Sequence, residues 1–169
     1  MTAPAPYGFR PATPADLDLL NGWTANPHVA RWWDRDHPFN AADLARADVT
    51  CWIVTLEGRA LAYLQDYALH GDEPHPYDHL PKGTRGIDQF IGHAGMTGHG
   101  HGPRFIRQHV ETLFAAGAPV IVTDPHPDNA RAIAAYRKAG FEIDGPAMDT
   151  PWGRAQPMVV WRQSRAALS

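Results

Sequence analysis

The segment "GMTGHGHGPRF", residues 95–105, carries two chemistries at once. His99 and His101, on alternate residues, could turn two imidazoles toward one metal ion; Gly98, Gly100 and Gly102 could bring bare backbone close to a phosphate. A zinc site needs three or four protein ligands with hydrogen-bonding support behind them. His93 and His109 lie nearest without a recognised spacing to the pair, and His70, His75 and His79 are equally unpatterned. No ligand set closes, so no metal is expected. The phosphate alternative uses more of the residues. Three glycines let the chain bend around an anion, a following helix aims free N–H groups and its positive dipole end at it, and Pro103, lacking an N–H, suits a first helical turn. The expected cradle runs through Thr97, Gly98, His99, Gly100, His101, Gly102 and Pro103. A plain turn would have the same glycines, so context has to decide.

Such a cradle needs a strand before it and a helix after it. "GIDQFIG" (86–92) is rich in strand formers, and "PRFIRQHVETLFAAG" (103–117) sets Phe105, Ile106, Val110, Leu113 and Phe114 toward one side of a helix. "APVIVTD" (118–124) is a strand again, which completes a βαβ unit whose strands should be parallel. "PDNARAIAAYRKAG" (127–140) is another helix, closed by Gly140, with Asn129 near its start. Tyr136 follows seven residues on, two turns along the same face and about 10 Å away, so one face could follow a long thin ligand.

Upstream, a strand near Phe9 leads to a helix over about 14–24, started by Thr13, Pro14 and Asp16. "PHVARWWDRDHPF" is a loop or broken helix, and "NAADLARA" a short helix capped by Asn40. "CWIVTL", the turn "EGRA" and "LAYLQDYAL" form a β-hairpin. Residues 70–85 hold three prolines, two glycines and no periodicity, the mark of a working loop. "FEIDG" and "PMVVWR" finish as strands. The class is α/β, a mixed sheet antiparallel early and parallel at its centre. One domain is expected over 1–169, with a core over about 8–162 and frayed ends at 1–6 and 163–169.

Composition excludes several partners. The net charge of −3 leaves no basic surface for nucleic acid, and a small cationic or neutral partner fits better. The single cysteine, Cys51, sits in an apolar stretch, so no disulfide framework or thiolate cluster is available. No run approaches the roughly 18 apolar residues of a membrane span, and "MTAPAPYGF" lacks the features of a signal peptide. A cytoplasmic protein, monomer or homodimer, without membrane or nucleic-acid partners is expected.

Together, "GHGHGPRFIRQHV" and "DNARAIAAYRKAGFE" resemble the acetyl-CoA-binding motifs of the GNAT superfamily of N-acetyltransferases. The resemblance implies a splayed mixed sheet flanked by helices, with acetyl-CoA held as co-substrate between two parallel strands. "HVARWW", "YLQDYAL", "RGIDQFIG" and "TDPHPDNARAIAAYRKAGFE" also fall in the order and spacing of bacterial aminoglycoside 6′-N-acetyltransferases, covering Phe9 to Trp161. Two departures stand out: Thr97 opens the phosphate loop where the superfamily often has Gln or Arg, and "GDEPHPYDHLPKG" replaces the aromatic, acid-rich flap of the resistance enzymes.

What the resemblance implies for the site can be named by residue. Asp88 would receive the acceptor's ammonium and take its proton, directly or through water. An unperturbed Asp, with a pKa near 4, is a poor base for an amine unless burial raises it, so an anchoring role or a structural ion pair stays open. Tyr136 would give its phenolic proton to the departing thiolate, its alternative being a core tyrosine. Backbone N–H groups across Phe90, Ile91, Gly92 and His93 would polarise the thioester carbonyl and hold the pantetheine arm, and Asn129 would lie along the coenzyme. Asp72 and Asp124 would complete an acidic pocket, Trp33 would wall it, and of the neighbours Gln65 and Asp66 only one can face it, because strand side chains alternate. The implied activity is transfer of acetyl from acetyl-CoA to a primary amine, foremost the 6′-amine of aminoglycosides, which is antibiotic resistance. An N-acyltransferase acting on another amine or hydroxylamine, such as a siderophore-precursor hydroxylysine, is the nearest rival. A non-catalytic acyl-CoA sensor is the third alternative.

Overall fold

The computed structural model describes residues 6–33, 37–71 and 73–162. Apart from Pro6, the stretches expected to fray lie outside the described residues. Seven strands form one sheet in the order β1-β2-β3-β4-β5-β9-β6: β1 Tyr7–Pro11, β2 Val49–Leu56, β3 Arg59–Ala68, β4 Arg85–Ile91, β5 Val120–Thr123, β6 Glu142–Ile143 and β9 Met158–Trp161. Every neighbouring pair is antiparallel except β4 and β5 at the centre. The expected mixed α/β sheet is therefore present, with its parallel pair where the βαβ unit placed it.

The β2–β3 hairpin turns on Glu57 and Gly58, both with positive φ (52° and 78°). That is the two-residue turn whose twist matches its flanking strands, and Gly58 meets its left-handed requirement without strain.

Helices cover both faces. On one, α4 (His101–Ala115) and α5 (Ala130–Lys138) pack Phe105, Ile106, Val110 and Tyr136 onto Leu64, Ile87 and Ile121 of the sheet. On the other, α1 (Leu17–Thr24), α2 (Pro27–Ala30) and α3 (Ala41–Leu44) cover Ile53, Tyr63 and Phe90 with Leu20, Trp23 and Val29. Asn40 caps α3 as expected, accepting from the Asp43 N–H at 3.0 Å while Asp43 accepts from the Asn40 N–H at 2.9 Å. Among the described residues no helix is long and apolar enough to cross a membrane.

Two elements differ from expectation. Helix α4 starts at His101, two residues before Pro103, because Gly100 can take the left-handed cap conformation (φ 82°) that lets the helix begin there. The stretch "FEIDG" contributes only Glu142–Ile143 to the sheet, and a separate hairpin, β7 (Met148–Thr150) and β8 (Gly153–Ala155), follows it.

Candidate active site

The central parallel pair holds together only at its start. Arg85 and Gly86 pair with Ile121 and Val122, and the Thr123 hydroxyl donates to the Ile87 carbonyl at 3.0 Å; beyond that the strands part. A cleft of about 730 Å³ opens there, lined by Gln89, Phe90 and Ile91 of β4, the 97–103 loop, and Asn129, Ala132 and Ala135 of α5.

Pairing with β3 decides which backbone groups of β4 face the cleft. The Gly92 N–H donates to the Leu61 carbonyl at 3.0 Å, so alternation turns Phe90 and Asp88 amides toward β3 and those of Gln89 and Ile91 toward the cleft. The expected backbone donors thus narrow from residues 90–93 to positions 89 and 91. Gly92 and His93 are not brought to the cleft wall: a Cβ on Gly92 would stand 2.2 Å from the Trp23 indole, and the His93 ring lies edge-on to Trp23 at 6.2 Å. Gly92 is small so that Trp23 can pack against the strand.

At the mouth of the cleft the glycine loop has the form an anion requires. Gly98 and Gly100 both adopt positive φ (78° and 82°), and Thr97, Gly98, Gly100, Gly102 and Pro103 line the cleft at the N-terminus of the fifteen-residue α4. Arg131 adds a cation there, its Nη1 donating to the Thr97 hydroxyl at 2.9 Å. The two histidines of the loop turn elsewhere: His99 Nε2 meets the Gly95 carbonyl at 3.0 Å, and His101 Nδ1 meets the Tyr7 hydroxyl at 2.7 Å. Neither histidine is among the residues lining the cleft. Among the described residues no group of three or more His, Cys, Asp or Glu is arranged to hold a metal ion.

Asn129 caps α5, its side-chain oxygen accepting from the Ala132 N–H at 3.2 Å, and it also borders the cleft. Tyr136, two turns on, is buried at 3% exposure against Phe141. Its hydroxyl reaches Thr123 and Gln89, and burial pushes its pKa up, with the Asp88 charge adding to the push. Tyr136 itself is not among the residues lining the cleft; its partner Gln89 is.

Beyond Gln89 stand two carboxylates, Asp88 and Asp124, near enough for Asp124 to act on the charge of Asp88. Gln65 and Asp88 are direct cross-strand partners, and Gln65 Nε2 donates to Asp88 Oδ2 at 3.0 Å. Asp66, one residue on, faces the opposite side and is taken up by His109 and Trp52 (both 2.8 Å) and by Arg85, a buried network that bolts α4 to the sheet. Of the two neighbours Gln65 is therefore the one that faces Asp88. Burial drives the Asp88 carboxyl up to about 7, helped by the Asp124 charge and opposed by hydrogen bonds from Gln65 and Tyr67. Asp124 is also raised by burial, against hydrogen bonds from Trp152 and Tyr77. Trp33, expected to wall the acidic pocket, instead lines the cleft with the glycine loop, its ring edge-on to Phe90 at 4.9 Å and to Tyr63 at 5.7 Å. Asp72 lies outside the described residues.

Three residues that hold these carboxylates escaped the sequence. Tyr67 lies across Gly86, where a Cβ would stand 2.3 Å from its ring, and its hydroxyl serves Asp88. Its position two residues from Gln65, on the same strand face, was a usable signal. Tyr77, from the 70–85 loop, and Trp152, from the tip of the β7–β8 hairpin, both donate to Asp124. The turn residues "TPWG" mark that hairpin, though nothing in them indicates what Trp152 touches.

A comparison with known families matches residues 12–148 to the acetyltransferase (GNAT) domain. The aminoglycoside N(6′)-acetyltransferase type 1 of Klebsiella pneumoniae is 36% identical over 168 residues, spanning 92% of this chain and 83% of that protein. The crystal structure of aminoglycoside acetyltransferase AAC(6′)-Ib with coenzyme A and kanamycin superposes with a TM-score of 0.82 at 36% identity, over 95% of this chain and 98% of that one. The same enzyme with parmomycin and acetyl-CoA gives 0.82 at 35% identity, over 95% of this chain and 96% of that one. The splayed sheet, the glycine cradle and these likenesses agree: the chain belongs to the GNAT acetyltransferases and is an acetyl-CoA-dependent N-acetyltransferase.

Proposed function

We propose that this enzyme acetylates the 6′-amine of aminoglycoside antibiotics and so confers resistance, acting in the cytoplasm, where acetyl-CoA is made. The observation that carries the proposal is the continuity of one strand: Gln89 to Ile91 line the coenzyme cleft while Asp88, the next residue, stands in the field of a second carboxylate, Asp124. A thioester in the cleft would then lie beside a pocket suited to a cationic acceptor. The relatives named for aminoglycoside acetylation support that acceptor class.

Acetyl-CoA supplies an activated acyl group with a thiolate as leaving group. The residues present fit it, since left-handed glycines at a helix N-terminus offer amides to phosphates. The cleft-facing amides of Gln89 and Ile91 form an open strand edge where the pantetheine arm could add and where a thioester carbonyl could be polarised. In the acidic pocket, carboxylates attract the acceptor's ammonium. Asp88, raised to about 7, is matched to taking one proton from that nitrogen near neutral pH. The freed lone pair bonds to the acyl carbon as the carbon–sulfur bond breaks, and Tyr136 gives its proton to the sulfur through the hydroxyl beside Gln89. Asp124 keeps a negative charge against the remaining ammonium groups.

The experiment is a thiol-release assay with acetyl-CoA against aminoglycosides, linear polyamines and hydroxylysine. Release with aminoglycosides that carry a 6′-amine supports the proposal. Release only with the other amines assigns the pocket to a different acceptor.

A further inference from the structure

Two residues far apart in sequence end on one atom of Asp124. The Tyr77 hydroxyl donates to Oδ2 at 3.0 Å and Trp152 Nε1 donates to the same oxygen at 2.8 Å. Neither uses Oδ1. Tyr77 is buried at 2% exposure, whereas Trp152 stands 51% exposed at a hairpin tip, with the His75 ring stacked on it at 5.2 Å. An indole N–H that takes a half-buried carboxylate from an exposed ring contributes little to the core; what it does is fix the charge and direction of that carboxylate.

We propose that Trp152 and Tyr77 are positioning residues that keep Asp124 the charged member of the Asp88–Asp124 pair, and so leave Asp88 as the proton acceptor. The inference rests on the proposed acetyl transfer and assigns the two carboxylates different tasks. Asp124 faces Asp88, Tyr67, Tyr77, Tyr136, Trp152 and the imidazole of His75; Asp88 faces Asp124, Gln65, Tyr67, Tyr77 and Tyr136. Tyr77 also lies in the field of Asp144. Two nearby carboxylates resist ionising together; each has two hydrogen-bond donors, but the His75 imidazole adds its field at Asp124, so Asp124 ionises first and Asp88 titrates later. Burial raises both, and Asp88 reaches about 7. Removing a donor from Asp124 destabilises its anion. The first ionisation step of the pair then moves to higher pH, and the second follows as far as the shared proton moves onto Asp124.

The test uses Trp152→Phe, which keeps a ring for His75 to stack on but lacks the N–H, and Tyr77→Phe, which lacks only the hydroxyl. kcat/KM for acetylation of kanamycin is measured from about pH 5 to about pH 9, and carboxyl-carbon NMR titrations are recorded on Asp-labelled protein without substrates. We expect the first ionisation step of the pair to move up by about one to two units in each variant, the range a hydrogen bond to a charged group supports, and the acidic limb to move up with it by less. Kanamycin KM at neutral pH should rise several-fold with acetyl-CoA KM unchanged, and the Asp124 carbon should titrate at higher pH. An unmoved limb together with an unmoved Asp124 titration overturns the inference, as does an equal rise in both KM values, which marks a scaffold defect. If the wild-type enzyme acetylates no aminoglycoside, the functional proposal fails by itself; the carboxyl titration then decides this one, and an Asp124 that does not move rejects it.

Discussion

Gln65 and Asp88 stand directly opposite each other across β3 and β4, and the Gln65 amide donates to Asp88 Oδ2 at 3.0 Å. The contact fixes the direction of a carboxylate whose ionisation is opposed by burial. Asp88→Asn keeps the shape and removes the charge. It should lower turnover by about 10² or more while leaving acetyl-CoA affinity intact, as expected for a lost general base or charge partner. Single-turnover kinetics with a coenzyme-binding titration checks this. Wild-type turnover in the variant removes Asp88 from the chemistry.

The same substitution carries a stability prediction with a definite sign. Because the folded-state pKa of Asp88 is raised from 3.8 to about 7, folding favours its protonated form. Wild-type stability should therefore fall as pH rises between those values. Asp88→Asn should melt higher than wild type above pH 7 and lose that advantage by about pH 4, each kcal/mol relieved being worth about 2–4 °C. Calorimetric melts at both ends of the window measure it.

The opposite sign belongs to Asp66. Hydrogen bonds from His109, Arg85 and Trp52 outweigh burial and hold its carboxyl below the ordinary value. Its stabilising contribution is present above the unfolded-state value and lost as pH falls. Asp66→Asn should cost about 3–5 kcal/mol near neutral pH, as breaking a buried ion pair does, with the gap to wild type closing in acid. Urea unfolding at two pH values gives both numbers.

Gly100 tests the cradle. No atom lies within 4 Å of a Cβ built there, so Gly100→Val meets no clash, yet its φ of 82° is one a branched residue resists. Coenzyme affinity should fall about tenfold or more, matching a backbone strain of about 1–2 kcal/mol that the loop relieves by moving. Calorimetric binding of acetyl-CoA reads this, and unchanged affinity in a folded variant refutes the cradle.

Tyr67 and Gly86 supply a packing test. Gly86→Ala drives a methyl group into the Tyr67 ring and should destabilise by about 1–3 kcal/mol. Tyr67→Ala should recover much of that loss in the double variant, since the two positions share one volume. Denaturant midpoints of the four proteins give the coupling.

Local rules carried most of the fold. Period-2 and period-3.6 patterns marked the hairpin, the βαβ unit and α5, and the capping residues Thr13, Asn40 and Gly140 marked ends the structure shows. They could not show the side-chain turns at the cradle, because whether His99 and His101 point at a ligand depends on Gly95 and Tyr7, and Tyr7 is far away in sequence. Gly92 looked like a cleft residue for the same reason: its smallness answers to Trp23, on a helix almost seventy positions earlier. Trp152 was invisible to any local rule, since its partner Asp124 is brought to it by sheet order and by a hairpin of three-residue strands.

The most direct measurement is the position of the acetyl group. A matched pair of aminoglycosides, differing only in an amine or a hydroxyl at the 6′ carbon, is incubated with acetyl-CoA and the enzyme, and the products are mapped by NMR. The account predicts one acetyl, on the 6′ nitrogen of the amine partner, and no product from the hydroxyl partner. Acetylation elsewhere on both partners, or none on either, contradicts it.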